Sequence, residues 1–259
     1  MGKYTQIFND FYDYRSSNNK LTNGEIKPDE PFLGLIPPNK VIYSNAVDII
    51  TNGYEYVDLG LPSGTLWATM NIGAADVGQR GDYFAWGELS SKSNYTWETY
   101  RFGTENNLTK YNATDGKTTL DLTDDAAYVN WGGDWHIPTP AQINELLNNT
   151  TWDYDNELGV KMYVSTINGN KLYFWEGGEM NGEMDGTTIA HLTKYRYEFL
   201  SNSLASNFIN AQYFVDDGEG NALVNYPSQY EGFRYRGFQI RPVMNGLRHT
   251  YNEPSLPLR

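Results

Sequence analysis

Four tryptophans set among glycines are the feature that most restricts how this chain can fold. Trp67 and Trp86 stand near glycines, and Trp131 and Trp135 flank Gly132-Gly133. Glycine lets a backbone approach the face of an indole ring closely, and each buried indole removes a large apolar area from water. We therefore expect all four tryptophans to pack inside the protein and to determine its fold.

Short strands separated by tight turns are predicted for most of the chain after residue 54. The dipeptides Asn168-Gly169 and Asp217-Gly218 are typical of two-residue hairpin turns, and each separates two strand-like runs. Strands are predicted at residues 41–43, 56–61, 66–72, 160–166, 171–175, 211–215, 222–226 and 234–243.

Two helices interrupt the strands. The clearer one has Thr139 as its predicted cap, since Pro140 follows at the first helical position and Gln142 completes a capping box. A shorter helix is predicted at 123–130, with Thr123 as its cap and two aspartates in the first turn to complement the helix dipole. Helices beside antiparallel strands predict an α+β fold. The predicted buried face of the clearer helix is Ile143, Leu146 and Leu147.

The composition excludes several classes of function. With 32 acidic and 19 basic residues the formal charge is -13, so phosphate backbones and anionic membranes should repel the chain. We therefore expect no nucleic-acid partner and no membrane insertion, because apolar runs also stay short of the ~20 residues that cross a bilayer. The absence of cysteine excludes disulfides, zinc thiolates and cysteine catalysis.

Residues 1–53 are predicted to be an anchor or connector that precedes the main domain. An apolar stripe with helical spacing indicates a short helix, which packs on its own chain or docks to a partner or a sister copy. The N-terminus has no apolar signal core. This predicts a chain that is made in a cytoplasm and leaves it by cell lysis, by assembly into a particle, or not at all, unless a signal peptide has been removed. The stripe consists of Tyr4, Ile7, Phe8, Phe11 and Tyr12.

Four sequence blocks at 56–73, 81–88, 124–139 and 237–243 resemble, in this order, the Fibrobacter succinogenes major paralogous domain. Such domains abound in Bacteroidales and their phages, and they are similar to the formylglycine-generating-enzyme branch of the C-type-lectin-like fold. The resemblance implies a C-type-lectin-like domain over residues 54–244, followed by a tail over 245–259. Variable proteins of diversity-generating retroelements use the same fold, and their varied positions lie in the corresponding C-terminal stretch.

Catalysis is not expected from this sequence. Formylglycine-type chemistry requires cysteine, and His136, His191 and His249 do not have metal-ligand spacing on one element. Ser63 lies in a predicted turn that it shapes. A glycosidase with paired carboxylates is the enzymatic alternative. Its candidate acids are Asp124, Asp125, Asp153, Asp155, Glu157, Asp216, Asp217 and Glu219.

Calcium is the one ligand ion that the sequence brings into question. The run Asp153-Tyr-Asp-Asn-Glu157 alternates oxygen ligands as a calcium loop does, but it lacks the glycine and the terminal glutamate spacing of an EF-hand. The pattern is read either as a calcium site or, preferably, as a solvated turn. No other cofactor is expected.

The stretch from Tyr195 to Arg236 has the composition of a binding surface, with aromatic anchors among adaptable polar groups. The alternative is that tyrosine and asparagine occupy strand and turn positions there. The predicted ligand-binding residues are Tyr195, Tyr197, Asn202, Asn207, Asn210, Tyr213, Asn225, Tyr226, Tyr230 and Tyr235.

These features lead to the hypothesis of a non-enzymatic adhesin on the tail or capsid of a phage virion. Its expected partners are a bacterial surface glycan or protein and, through residues 1–53, other virion proteins; a homo-oligomer is a further option. Two alternatives stay open, namely a purely structural decoration protein of the virion and a secreted Bacteroidales surface protein.

Overall fold

The computed structural model describes residues 52–76, 79–155, 160–182, 189–190, 197–216, 221–224 and 232–246. The predicted helix around residues 4–12 and the predicted strand at 41–43 lie outside this part of the chain, as does nearly all of the predicted tail.

The described part of the chain is α+β, with thirteen short strands in five sheets and two α-helices. Neighbouring strands in all five sheets run antiparallel. The helices are α1 (Ala126–Trp131) and α2 (Pro140–Asn148), and single 3-10 turns span Trp97–Thr99 and Leu122–Asp124. The strands are β1 (Tyr56–Asp58), β2 (Thr65–Ala68), β3 (Gly103–Thr104), β4 (Asn107–Leu108), β5 (Thr150–Asp155), β6 (Val160–Ser165), β7 (Lys171–Phe174), β8 (Glu179–Met180), β9 (Ile189–Ala190), β10 (Tyr197–Leu204), β11 (Ala211–Asp216), β12 (Asn221–Val224) and β13 (Val243–Asn245).

Strand β2 joins the beginning of the domain to its end. It pairs with β1 on one side, where Tyr56 lies opposite Ala68, and with β13 on the other, where Val243 lies opposite Trp67. A backbone bridge between His136 and Val243 brings a third segment to the same place. Segments that are distant in sequence therefore close the domain at this sheet.

The predicted hairpin at Asn168-Gly169 is confirmed, but its loop spans residues 166–170 and is longer than the two-residue turn that the dipeptide predicts. Strands β6 and β7 pair across it, and Gly169 has φ +75°, a conformation that suits glycine at a tight turn. The predicted pairing of β11 with β12 is confirmed as well, while the turn between them lies outside the described residues. Strands β5 and β10 extend these two sheets and were not predicted.

Helix α2 begins as the sequence predicts. The Thr139 hydroxyl accepts from the Gln142 backbone N–H at 3.1 Å, and the Gln142 side-chain oxygen accepts from the Thr139 N–H at 2.9 Å. Ile143 and Leu146 are buried and Leu147 is partly buried against the same core, so the predicted apolar face is correct.

The predicted start of the shorter helix is wrong. Helix α1 begins at Ala126, and its cap is Asp125, whose carboxylate accepts from the Ala127 and Tyr128 N–H groups at 2.9 and 3.0 Å. Thr123 lies instead in the preceding 3-10 turn. Asp125 takes the capping position because its second oxygen also accepts from the Ile137 N–H at 2.9 Å.

The predicted strand at 234–243 is also wrong over most of its length. Its residues form single bridges to three separate segments, pairing Gly237 with Met180, Phe238 with Phe84, and Gln239 with Phe199. Regular pairing begins only at Val243. The segment therefore has no regular strand structure before Val243, and its backbone pairs in turn with three segments that are distant in sequence.

Two apolar clusters form the core, and all four glycine-framed tryptophans belong to them, as predicted. Trp86, Trp131 and Trp135 lie in the larger cluster and Trp67 in the smaller one, each with at most 7 % of its surface exposed. Within the described ranges no helix has the length and apolarity needed to cross a bilayer.

Candidate recognition surface

Four of the predicted ligand-binding residues lie in the interior. Tyr197, Tyr213 and Tyr235 are at most 2 % exposed and Asn210 is 3 % exposed. Tyr213 stacks on Phe238 with ring centroids 4.6 Å apart, as core aromatic residues do. For these four residues the structure corrects the prediction, because side chains packed at this depth stabilise the domain and have no surface to offer a ligand.

The predicted residues Asn207 and Asn202 are accessible to solvent, and their side chains form hydrogen bonds within the protein. The Asn207 side-chain oxygen accepts from the backbone N–H groups of Ile209 and Asn210 at 3.0 and 3.1 Å, which forms an Asx turn. Asn202 is partly buried and accepts from the Ser203 hydroxyl at 2.9 Å. The remaining predicted residues, Tyr195, Asn225, Tyr226 and Tyr230, lie outside the described part of the chain.

An aromatic cluster lies beside the turn that Asn207 forms. Trp97 approaches Tyr235 and Phe233 with centroid distances of 5.0 and 5.9 Å, and Phe233 stacks on Tyr235 at 5.6 Å. Tyr235 is buried, whereas Trp97 and Phe233 are half-buried and present part of their rings to solvent. The buried ring therefore supports two rings at the surface.

Backbone pairing joins the turn and the cluster into one surface. Asn210 forms a bridge with Phe233, and the Ala211 N–H donates to the Gly232 carbonyl at 2.7 Å. Ser206 and Asn207 are exposed and Phe208 is half-buried. We define the recognition surface by these neighbouring residues: Trp97, Ser206, Asn207, Phe208 and Phe233.

Sequence reasoning missed Trp97, although a local signal existed. Thr96 precedes it and donates its backbone N–H to the Thr99 hydroxyl at 3.3 Å, which marks the start of a turn and not of a core strand. Its proximity to Phe233 depends on the tertiary fold, and no short-range pattern reports that. The segment from Tyr195 to Arg236 thus contributes Phe233 and the Asn207 turn to the recognition surface. The aromatic side chains that it supplies there are Phe208 and Phe233, and not the predicted tyrosines.

Phe208 has an uncommon backbone conformation for a bulky residue. Its φ of +59° lies in the left-handed region, which costs a non-glycine residue about 1–2 kcal/mol. Buried Tyr111 shares this conformation with φ +57°. Such residues persist only where the surrounding structure imposes them, and they concentrate at functional sites.

A buried ion pair lies beneath the surface. One terminal nitrogen of Arg236 donates to both carboxylate oxygens of Glu179 at 3.0 Å, and both side chains are at most 4 % exposed. The same guanidinium lies 5.5 Å from the centre of the Phe233 ring. A fixed positive charge behind this ring supports it by a cation–π contact.

No family model, curated protein or solved structure matches this chain. The interpretation of the surface therefore depends on its own geometry.

Ser63 and His136 are occupied by structural contacts, whereas His191 and His249 lie outside the described part of the chain. The Ser63 hydroxyl bonds to the Glu145 carboxylate and lies 2.6 Å from the Thr65 hydroxyl. His136 has its Nδ1 2.9 Å from the Asp134 carbonyl and its Nε2 3.3 Å from Gln142, so the ring helps to hold the start of α2.

Two candidate acids are also used by the fold. Burial raises the pKa of the Asp125 carboxyl, against the opposing effect of backbone donors that include Ile137. Asp124 accepts from the Tyr111 hydroxyl at 2.7 Å and pairs with Arg101 at 3.1 Å. Both carboxylates therefore connect neighbouring segments.

The turn predicted over residues 153–157, read either as a solvated turn or as a calcium site, is wrong for its first three residues, which lie on strand β5. The Asp153 carboxylate accepts from the adjacent Tyr154 N–H at 2.8 Å, and residues 156–159 are outside the described part. Among the described residues no group of three acidic or histidine side chains is placed to hold a metal ion.

Proposed function

We propose that this chain is a non-enzymatic binding module that contacts its ligand through the recognition surface. The observation that carries this proposal is the cluster of Trp97, Phe233 and Tyr235, in which two partly exposed rings rest on a buried one. The exposed polar residues Ser206 and Asn207 adjoin it.

The physical properties of this surface suit recognition. Aromatic side chains provide a large contact area and lose little conformational entropy on binding, and neighbouring serine and asparagine supply hydrogen bonds. Trp97 and Phe233 are held in place by ring contacts, and the Asn207 turn is held by two backbone hydrogen bonds. A surface fixed before binding avoids part of the ordering cost of association.

We further propose that residues 54–244 have a C-type-lectin-like fold. The sequence blocks that resemble the Fibrobacter succinogenes major paralogous domain meet in space, which supports this proposal. Trp67 of the first block and His136 of the third both pair with Val243 of the last, and Phe84 of the second pairs with Phe238. The blocks thus supply one continuous set of backbone contacts.

The proposed setting is the surface of a phage virion, with residues 1–53 as the attachment to other virion proteins. The family resemblance supports this setting, and the charge of -13 makes anionic nucleic acid an unfavourable partner. The expected ligand is a glycan or a protein on the surface of a gut bacterium.

Binding of the full-length protein to a panel of Bacteroidales cells and their purified capsular polysaccharides tests the function. Ser206→Lys changes an exposed residue, and we expect it and Trp97→Ala to reduce binding by about tenfold or more, as substitutions at central contacts do. The matched controls are Thr151→Lys and Trp152→Ala on strand β5, where both residues are exposed.

Equal losses in the two pairs of variants, with unchanged thermal unfolding, would place the binding outside the recognition surface. The proposal would be refuted if the protein bound no cell or polysaccharide and mass spectrometry did not detect it in purified virions. Presence in virions without any binding would favour the structural decoration protein.

A further inference from the structure

Arg234 lies between two residues of the aromatic cluster but points into the core. Its neighbours Phe233 and Tyr235 stack on each other, whereas Arg234 is 0 % exposed. Its guanidinium carbon lies 5.0 Å from the centre of the Trp86 ring and 5.2 Å from that of Tyr100. The residue therefore has no access to a ligand, but it is joined directly to the recognition surface.

The guanidinium group of Arg234 connects three segments that are distant in sequence. Its Nε donates to the Tyr100 hydroxyl at 2.7 Å, and one terminal nitrogen donates to the carbonyls of Tyr111 and Phe208 at 2.8 and 3.0 Å. The other terminal nitrogen donates to the Lys110 carbonyl at 3.2 Å. Each of these four bonds has a charged donor and is therefore stronger than a neutral one.

The two carbonyls that share one nitrogen belong to the two left-handed aromatic residues. Tyr111 and Phe208 have φ values of +57° and +59°, and this conformation directs both carbonyl oxygens to Arg234. The Arg234 backbone N–H also donates to the Ile209 carbonyl at 3.0 Å. Side chain and backbone of one residue thus hold the turn at 205–210 at two successive carbonyls.

We propose that Arg234 is the positioning residue of the recognition surface. It keeps Phe208 in the left-handed conformation and thereby presets the turn that presents Ser206 and Asn207 beside Phe233. The benefit for ligand binding rests on the proposed function, whereas the positioning of the turn by Arg234 is a property of the free protein.

Amide hydrogen exchange of the full-length protein tests the positioning without any ligand. In Arg234→Lys we expect amides at 205–210 to exchange about tenfold to a hundredfold faster relative to those of α2, because charged hydrogen bonds to the turn are lost. Arg241→Lys is the matched control, since Arg241 is 1 % exposed and also donates to backbone carbonyls, those of Ala68 and Tyr173. It should leave this ratio unchanged.

A second substitution that favours the left-handed conformation at position 208 should rescue the slow exchange of the turn. Asparagine adopts positive φ more readily than phenylalanine, so Phe208→Asn in the Arg234→Lys background should return exchange at 205–210 toward the wild-type rate. If Arg234→Lys does not fold, Tyr100→Phe removes the hydroxyl that accepts from Arg234 Nε and donates to the Trp86 carbonyl. A smaller increase at 205–210 is then expected, larger there than in α2.

Equal effects of the two arginine variants on the exchange ratio, or no rescue by Phe208→Asn, would overturn the positioning role. Failure of the wild-type protein to bind cells would leave the exchange result intact and would count against the proposed function. The two proposals therefore fail on different measurements.

Discussion

Tyr54 stacks face to face on Trp131, with ring centroids 3.8 Å apart and ring planes 4° from parallel. The contact fastens the beginning of the described chain to helix α1, and the Asn52 side chain adds a hydrogen bond to the Trp131 carbonyl at 2.7 Å. Trp131 in turn meets Trp135 edge-on at 5.2 Å. The stack therefore extends the larger apolar cluster to the first described residues.

Removing the ring of Tyr54 should destabilise the domain. We expect Tyr54→Ala to lower the free energy of unfolding by about 1–3 kcal/mol, from lost apolar contact plus the aromatic pair. Tyr54→Phe keeps the ring and should stay within about 0.5 kcal/mol of wild type. Urea unfolding measures both. Equal stability of Tyr54→Ala and wild type would show that the stack contributes nothing.

The Glu179–Arg236 pair should behave as a buried charge pair. Glu179→Met removes the Glu179 carboxylate from the buried Arg236 guanidinium, and we expect a loss of about 3–5 kcal/mol. The double variant Glu179→Met/Arg236→Met removes both charges and should cost less than the sum of the single changes. A double-mutant cycle by urea unfolding measures the coupling, and additive losses would contradict it.

Acid should weaken the ion-pair network around Asp121 and Asp124. Side-chain hydrogen bonds from Lys117 and Lys110 lower the pKa of Asp121 to about 2. Burial acts to raise the pKa of Asp124, but hydrogen bonds from Lys110 and Tyr111 outweigh it and bring the pKa below its usual range. Because both folded-state pKa values lie below those of the unfolded chain, the stabilisation is complete above pH ~4 and is lost as the pH falls toward 2.

Variants of this network should lose that pH dependence. Asp124→Asn should cost about 1–3 kcal/mol at pH 7 and should flatten the fall in thermal stability between pH 5 and pH 2, since the buried charged hydrogen bonds are gone. Asp121→Asn should flatten it less, because that side chain is 37 % exposed and solvent screens its pairs. Asp134→Asn, at an exposed position, is the control. If the thermal stability of Asp124→Asn fell between pH 5 and pH 2 as steeply as that of the wild type, Asp124 would not be the source of the acid sensitivity.

Local signals explain the parts of the fold that the sequence predicts. The capping box of Thr139 and Gln142 and the turn at Asn168-Gly169 each involve residues within four positions of one another. Their geometry is therefore dictated by neighbours in the chain. The first helix shows the limit of such signals, since Asp125 is preferred over Thr123 through its additional bond to distant Ile137.

The irregular path of residues 234–243 depends on tertiary contacts that no local pattern reveals. Arg241 is buried because its guanidinium donates to the carbonyls of Ala68 and Tyr173 and to the Asn71 side chain at 2.7 Å. Burial lowers the pKa of Arg241 to about 9, so the group stays charged at neutral pH. A strand-like run that contains arginine gives no indication that the charge is directed inward.

Of the predicted ligand-binding residues that the structure describes, only Asn207 belongs to the recognition surface. The tyrosines misled the prediction because tyrosine serves cores and binding surfaces equally well. Its ring buries a large apolar area, and its hydroxyl finds partners in either setting. Tyr213 and Tyr235 became core residues, whereas Phe233, adjacent to Tyr235, reached the surface. Which side of a segment faces outward is decided by partners such as Trp97, which lie far away in sequence.

Gly237 opens the last family-like block, and a side chain there should disturb the core directly. A Cβ at this position would lie 2.5 Å from the ring of Tyr95, which is 1 % exposed. The Tyr95 hydroxyl donates to the Tyr83 carbonyl, so the ring cannot move away freely. We therefore expect Gly237→Ala to cost about 1–3 kcal/mol in urea unfolding through overpacking.

Gly169→Ala separates this steric effect from backbone strain. Gly169 has φ +75° and no atom within 4 Å of an added Cβ, so its substitution should cost about 1–2 kcal/mol through the left-handed backbone alone. Tyr95→Leu should relieve the cost of Gly237→Ala and leave that of Gly169→Ala unchanged, because only the first depends on the ring. If Tyr95→Leu does not reduce the stability cost of Gly237→Ala, the requirement for glycine at position 237 does not come from the nearby Tyr95 ring.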